Sequence, residues 1–445
     1  MKPKIIFFCR DYQAQLFPKL QSEDYQSIYI AYNIKEKNVL ISNGYECTAC
    51  FEEDYNSLGV TSFNESYLET SFTSDRYFGK LSLNKRRLYL SKSIAFWQKV
   101  FDQIKPNFIL NEVIAIEFSE IMYIEAKRRG IKYLAWMISP FQVKQFYWLS
   151  SPFHASIDQK ELDLPVSSEA VVLANKLLQN PIDKPYYVTG LSNRHSVKIF
   201  IKSFGKYLYN KLHYFILLRR DRELFYFNHS KYYKQEIFNY INSFLYGYAN
   251  IEDYIKFEKV FYPLHYEPEA SLTYFSEFFD DQFNTIFNVS KCLKHDQILI
   301  VKEHPQQPGI LLSNKFRELK KRLSNVIFLP SEVSASNIIM QCEYVVTISS
   351  TAGWEALLNQ KPVFLLGKVF YDKHEDVNVI KSFSQLKKSI RSGNYKRPQI
   401  EHTKNFIARF YEYCSQGNPY PNVNIYSEQN ITYIKTEIAR KINDD

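Results

Sequence analysis

The sequence predicts an α/β protein made of two parallel-sheet domains with a helical segment between them. Three observations carry this expectation. Short apolar runs alternate with stretches of helical spacing from Lys4 to Trp136, the same alternation resumes from Lys259 to Leu366, and the residues between are mainly helical and aromatic in pattern. A chain of 445 residues is also too long for one ordinary core.

In the first series the runs Lys4–Phe8, Ser27–Ala31, Glu46–Cys50, Phe108–Leu110 and Lys132–Trp136 read as strands. Val113–Arg129 reads as a helix: Ile116, Met122, Ile124 and Ala126 supply apolar positions, basic residues close its last turn, and Gly130 stands as terminator. This first Rossmann-like domain is expected over residues 1–150. It has no G-x-G-x-x-G, and its first strand runs into Arg10-Asp11-Tyr12, so no glycine-turn phosphate site is expected there. Residues 151–254, punctuated by Pro152, Pro165, Pro181 and Pro185, read as a helical connector or insertion. The second Rossmann-like domain, residues 255–399, takes its strands from Lys259–Tyr262, Gln297–Val301, Val326–Leu329, Tyr344–Ile348 and Val363–Leu366. The helical tail, 400–445, is expected to cross back over the first domain. No repeat of fixed period is present.

Composition sets outer limits. The 35 Tyr and 35 Phe, in a chain with only 12 Gly, fit a compositional bias better than a carbohydrate-stacking platform. Net charge is +9, part of it between Lys198 and Arg222, where Lys202, Lys206, Lys211, Arg219, Arg220 and Arg222 alternate with Phe204, Tyr207, Leu208, Leu212, Tyr214, Phe215 and Ile216. Such a segment suits an anionic inner-membrane surface; it reads equally as a solvated basic helix with its aromatic side on the body. No nucleic-acid-binding signature accompanies the charge. Ile5–Cys9 is too short for a signal peptide, no run approaches a membrane span, and six scattered cysteines fit reduced thiols, which together predict a cytoplasmic protein, peripheral on the membrane at most. Cys47 and Cys50 lack the second ligand pair of a zinc site.

Two segments point to a phosphate. Val301-Lys302-Glu303-His304-Pro305 and Thr347-Ile348-Ser349-Ser350-Thr351-Ala352-Gly353-Trp354-Glu355 each follow a buried strand. In the second, hydroxyls and a glycine mark a strand-to-helix junction, where backbone N–H groups and the positive helix end converge. In the first, Lys302 and His304 leave a neighbouring strand end, where His304 can contact a phosphate and ease departure of a nucleotide. Together they suit a nucleotide cradle at the carboxyl edge of a parallel sheet. Ser349, Ser350 and Thr351 read equally as a helix cap, and Glu355 as a partner of ribose hydroxyls or a favourable first-turn charge. A third segment, Tyr262-Pro263-Leu264-His265-Tyr266-Glu267-Pro268-Glu269-Ala270-Ser271-Leu272, crowds a histidine and two carboxylates between prolines. His265 and Glu269 are candidate catalytic groups, with Glu269 as nucleophile or base toward an oxocarbenium-like sugar. From the first domain Glu112, or Glu117 one turn on, is a candidate acid or base; either reads equally as an ordinary helix charge.

In this order the three segments resemble the bacterial capsule polysaccharide biosynthesis proteins, a group that includes the retaining β-Kdo transferases. The resemblance is strongest over Lys259–Asp372 and weaker over Phe108–Pro140. It implies a GT-B fold, two Rossmann-like domains facing a cleft, with a CMP-activated sugar on the second domain and its phosphate at His304, Ser349 and Ser350. The implied reaction moves Kdo or a related ulosonic acid to a surface polysaccharide or glycolipid, with no cofactor and no metal. Kdo transferases commonly carry Gln and Asp where this chain has His265 and Glu269. CDP-glycerol phosphotransferases share the His-Pro and Ser-Ser elements, which leaves that reaction as an alternative, alongside a catalytically silent nucleotide- or glycan-binding component of a capsule assembly.

Overall fold

A computed structural model describes residues 2–63, 81–180, 197–217, 225, 233–234, 237–238, 240–241, 247–267, 269–276, 278–312, 314–422 and 424–444. Pro181, Pro185, Pro268, Arg219, Arg220 and Arg222 lie outside them. The chain divides into two compact units, one from Met1–Ala155, Glu223–Tyr226 and Tyr413–Asp445, the other from Ser156–Arg222 and Phe227–Glu412.

The first unit holds a six-stranded sheet in the order β3-β2-β1-β4-β5-β6. Its strands are β1 (Lys4–Cys9), β2 (Gln26–Ala31), β3 (Ala49–Cys50), β4 (Phe108–Glu112), β5 (Lys132–Ile138) and β6 (Phe146–Trp148). All pair in parallel except β6, which runs antiparallel to β5. Alternate residues of β1 feed opposite cores: Ile6 and Phe8 pack with Phe51, Phe96, Trp97 and Phe118, while Ile5, Phe7 and Cys9 pack with Phe17, Leu110 and Trp136. Burial of both faces explains why these strands read as unbroken apolar runs. Helix α1 (Ile34–Ser42) follows β2, α2 (Leu83–Ile104) precedes β4, and α3 (Glu117–Arg128) follows it. α3 starts later than the sequence suggested because Ile116 is extended at its N-cap and the Ile114 N–H donates to Pro152 O. It ends as expected, with Gly130 at φ +69°. The helix Glu428–Asp444 buries Ile434, Ile438 and Ile442, one per turn, in the core on the Ile5 side of this sheet.

The second unit holds another six-stranded sheet, ordered β12-β11-β10-β7-β8-β9 and parallel throughout. Its strands are β7 (Glu258–Pro263), β8 (Gln297–Lys302), β9 (Val326–Leu329), β10 (Tyr344–Thr347), β11 (Val363–Leu365) and β12 (Asn378–Val379). Ahead of β7 come α4 (Ser168–Gln179) and α5 (Val197–Leu217), and α4 is tied to the helix Ile400–Tyr413 through Glu169 and Tyr411. After β7 the chain adds α6 (Gln282–Ser290), α7 (Asn314–Arg322), α8 (Ala335–Gln341), α9 (Thr351–Leu358) and α10 (Phe383–Ser392).

Each sheet has a Rossmann-like α/β architecture, and in each the strand order reverses once. The reversal falls between β1 and β4 in the first unit and between β7 and β10 in the second. At such a point the loops leaving adjacent strands diverge, and open α/β sheets bind ligands in the gap.

Candidate functional site

At the reversal point of the second sheet, the loop after β7 meets the loop after β10. The link is His265, only 5% exposed, whose Nε2 accepts the Ser349 N–H at 3.0 Å. That bond puts the ring proton on Nδ1, which faces Gln282 Oε1 at 3.3 Å. Gln282, at the start of α6 and fully buried, also accepts the His265 N–H at 2.7 Å and donates to His265 O and to Glu267 Oε1. Burial, then the neighbouring His304, pushes the His265 pKa down to about 3. Desolvation disfavours the charged ring, so His265 is neutral across the physiological range, with both nitrogens engaged. In place of the catalytic role suggested by its sequence context, the structure shows His265 tying two strand ends together, its one ring proton turned to Gln282.

A second amide clamps the same loop. Gln307 accepts the Glu267 N–H at 2.9 Å and donates to Glu267 O at 2.7 Å, fastening it to the turn after β8. Glu269, by contrast, is exposed; its carboxylate accepts from the Ser271 hydroxyl at 2.9 Å, and its carbonyl accepts the Leu272 and Thr273 N–H groups.

At the β10–α9 junction, Ser349 Oγ donates to Ser271 O at 2.6 Å. Ser350 caps α9 by accepting the Ala352 N–H at 3.1 Å, while its own N–H donates to Thr347 Oγ1. Its carbonyl accepts from Gly353 N–H and from the Tyr371 hydroxyl at 2.6 Å. Gly353 has to be glycine: a Cβ there would lie 2.3 Å from Tyr371 Oη and 3.0 Å from Thr347 Cγ2. Gly367 is under the same restraint from main chain, with Ile348 O at 2.7 Å and Phe275 O at 2.9 Å from its would-be Cβ. Half-buried Thr351 opens α9, and Glu355, one turn on, accepts weakly from Ser336 Oγ at 3.4 Å.

The β8 turn separates three neighbours in sequence by function. Lys302 is 4% exposed, and its ammonium donates to Glu303 O at 2.8 Å and Ser331 O at 3.1 Å. The expectation that Lys302 meets a phosphate is corrected, since its charge points into the protein and holds main chain. Glu303 is also interior, accepting from Gly309 and Leu311 N–H groups, and burial raises its carboxyl to about 7. His304 alone reaches the surface, half-buried against the edge of Tyr266. Its Nδ1 accepts the Gln306 N–H at 3.2 Å, which puts the proton of the neutral ring on Nε2.

The reversal point of the first sheet is different in kind. Glu112, the last residue of β4, accepts from the Tyr12 hydroxyl, and burial, eased by Arg10 and reinforced by Asp11, raises its carboxyl to about 7. Asp11 has φ +49°, and its N–H donates to Glu36 Oε1 at 2.9 Å. Glu36, 4% exposed, also accepts from Tyr32 and Asn33 N–H groups and is itself raised by burial to about 7. Glu117, the other carboxylate weighed from sequence, is 2% exposed and faces Arg86 at 3.9 Å. Among the described residues no group of three or more His, Cys, Asp and Glu could hold a metal.

The structure therefore brings His265 and Ser349 into contact, sets Ser350 and Thr351 at the start of one helix, and puts Glu112 in the other unit. Gln282, Gln307, Tyr371 and Tyr12 escaped the sequence reading. Glutamines and tyrosines carry no motif, and only the clustering of Tyr266, Glu267 and Glu269 around His265 hinted that this loop needed anchoring.

Comparisons with known proteins bear on the same segment. Residues 249–375 match the family described as capsule polysaccharide biosynthesis protein, a span containing all three resembling segments. The capsule polysaccharide export protein KpsS of Escherichia coli is 31% identical over 99 residues, covering 21% of this chain and 25% of that protein. The chain thus matches about a quarter of the length of this relative. Two solved structures of Thermosulfurimonas dismutans KpsC are similar in fold. The β-Kdo 2,4 transferase has a TM-score of 0.40 and 13% identity, covering 77% of this chain and 94% of its own. The β-Kdo 2,7 transferase has a TM-score of 0.35 and 12% identity, covering 82% and 98%. At these scores neither likeness bears on the reaction.

Proposed function

We propose that this chain is a glycosyltransferase of capsule synthesis that moves Kdo or a related ulosonic acid from a CMP-activated donor to a surface polysaccharide or glycolipid. The observation that carries the reading is the His265–Ser349 junction at the strand-order reversal, inside the segment matching the capsule family. It fixes the start of α9 next to a surface histidine, so that helix end and imidazole serve one phosphate. His304 donates from Nε2 to the CMP phosphate and steadies the leaving nucleotide. Thr351 and the first turn of α9 face the same anion, and Glu355 accepts from the ribose. Glu269, exposed at the start of its short helix, stabilises positive charge developing at the sugar. Glu112, with a carboxyl near 7, handles the acceptor proton, since a group titrating near the working pH can both take and release it.

Incubation with CMP-Kdo and a Kdo-terminated glycolipid tests this through CMP release and product mass. Release that depends on acceptor and falls at least about 100-fold in His304→Ala supports the reading. Consumption of CDP-glycerol instead would assign the phosphotransferase reaction. A second reading, a binding-only component, draws on the internal bonds of Ser349 and Ser350, which spend hydroxyls on the fold; CMP binding without turnover of any donor would favour it.

A further inference from the structure

The most exposed apolar surface on any long helix described is on α5. Val197 is 61% exposed, Ile201 62%, Phe204 45%, Leu208 44% and Leu212 59%. Their spacing of four, three, four and four residues is that of one helical stripe. At about 100° per residue the five fall within an arc of about 80° and run about 22 Å along the axis. The helix is anchored by a different face: Ser203 is 7% exposed, Phe200 stacks on Tyr240 with ring centroids 4.9 Å apart, and Tyr207 is half-buried. Among the described residues, the stripe is therefore left over after the helix has packed.

Charge tells what fits on it. Lys211 flanks the stripe on one side, Lys202 and Lys206 lie beyond its other edge, and all three are exposed. No Asp or Glu occurs between Val197 and Leu217. A second copy of this helix would set lysine beside lysine along the seam, where paired helices ordinarily alternate charges. An anionic lipid surface takes the same pattern without conflict: apolar side chains enter the acyl boundary and lysines reach the headgroups. Crossing is excluded for this helix, since no described helix is long and apolar enough to span a membrane.

We propose that α5 lies in the plane of an anionic bilayer, with Ile201, Phe204, Leu208 and Leu212 inserted and Lys202 and Lys211 on the headgroups. This goes beyond the transferase reading and does not depend on it.

The test is sedimentation of the full chain with vesicles of phosphatidylglycerol and phosphatidylethanolamine, against vesicles of phosphatidylcholine alone, with neither donor nor acceptor present. The wild-type protein is expected to pellet with the anionic vesicles and to be released by salt. Ile201→Gln/Leu208→Gln, which keeps good helix formers at exposed positions, is expected to weaken binding at least about tenfold. Lys202→Gln/Lys211→Gln is expected to weaken it by about fivefold per lysine at low salt. Equal pelleting with both lipid compositions, or none, overturns the proposal without any variant. A wild-type dimer that Ile201→Gln/Leu208→Gln converts to monomer, with vesicles leaving both in solution, also overturns it and assigns the stripe to a second copy. Donor turnover is read separately, so loss of lipid binding with intact transfer sinks only this inference.

Discussion

The two sheets reverse strand order at equivalent places, yet the reversal points are built from opposite materials. In the second unit the loops are joined by neutral groups, the His265 ring and the amides of Gln282 and Gln307. In the first unit they are joined through carboxylates, Glu36 and Glu112, with Arg10, Asp11 and Tyr12 around them. A frame built on a neutral ring and amides, with His304 at the surface against Tyr266, suits an anionic ligand at the helix start. A carboxylate frame deprived of water titrates near neutrality, which suits proton transfer. One topology thus supports two site chemistries, and loop residues decide which.

The largest expected effect comes from removing the one surface group of the neutral frame. His304→Ala should lower donor turnover at least about 100-fold while the melting temperature stays near wild type, because the half-buried ring lies at the surface. A comparable loss of stability would make His304 a structural residue and erase the contrast. Next, Gln282→Leu removes four bonds from a buried position and should cost about 1–3 kcal/mol in denaturant titration, more than an exposed substitution can. Gly367→Ala forces a Cβ onto two carbonyl oxygens and belongs in the same range, about 1–3 kcal/mol. Lys302→Met should destabilise as well, yet leave CMP affinity of the folded protein within about twofold, since its ammonium serves carbonyls; a tenfold loss of affinity would return Lys302 to the phosphate.

A further effect concerns pH. Glu112 has a folded pKa of about 7 against an ordinary 4.5, so the folded state holds the proton longer than the unfolded chain. Its contribution is therefore favourable below about pH 4.5 and is lost as pH rises toward 7. Glu112→Gln should flatten that part of the stability profile and make the variant relatively more stable at pH 8, while transfer falls. An unchanged slope would mean that Glu112 is solvated like any surface carboxylate.

Much of this architecture was legible in the sequence because strands buried on both faces show as continuous apolar runs, as Gln297–Val301 and Tyr344–Ile348 do. The same property hid side-chain direction. A strand without alternation gives no sign of which way its last residue points, so Lys302 and His304 looked equivalent although one is interior and one is at the surface. β6 went unread because a three-residue antiparallel edge strand, Phe146–Trp148, is too short for a periodic signal. The role of His265 was illegible for a different reason: its partners, Gln282 and Ser349, lie 17 and 84 residues away. Serine capping and anion binding use the same chemistry, so the sequence left Ser349 and Ser350 open; in the structure Ser349 Oγ donates to Ser271 O and Ser350 Oγ accepts the Ala352 N–H.

The contrast between the two reversal points is tested most directly by calorimetric titration of CMP into wild type, His304→Ala and Glu112→Gln, with CDP, UDP, GDP and ADP as competitors. Selective CMP binding that weakens at least about tenfold in His304→Ala and is unchanged in Glu112→Gln is the predicted result. Equal binding by the wild type and His304→Ala, or loss of CMP in Glu112→Gln alone, would contradict the assignment of the nucleotide to the second sheet.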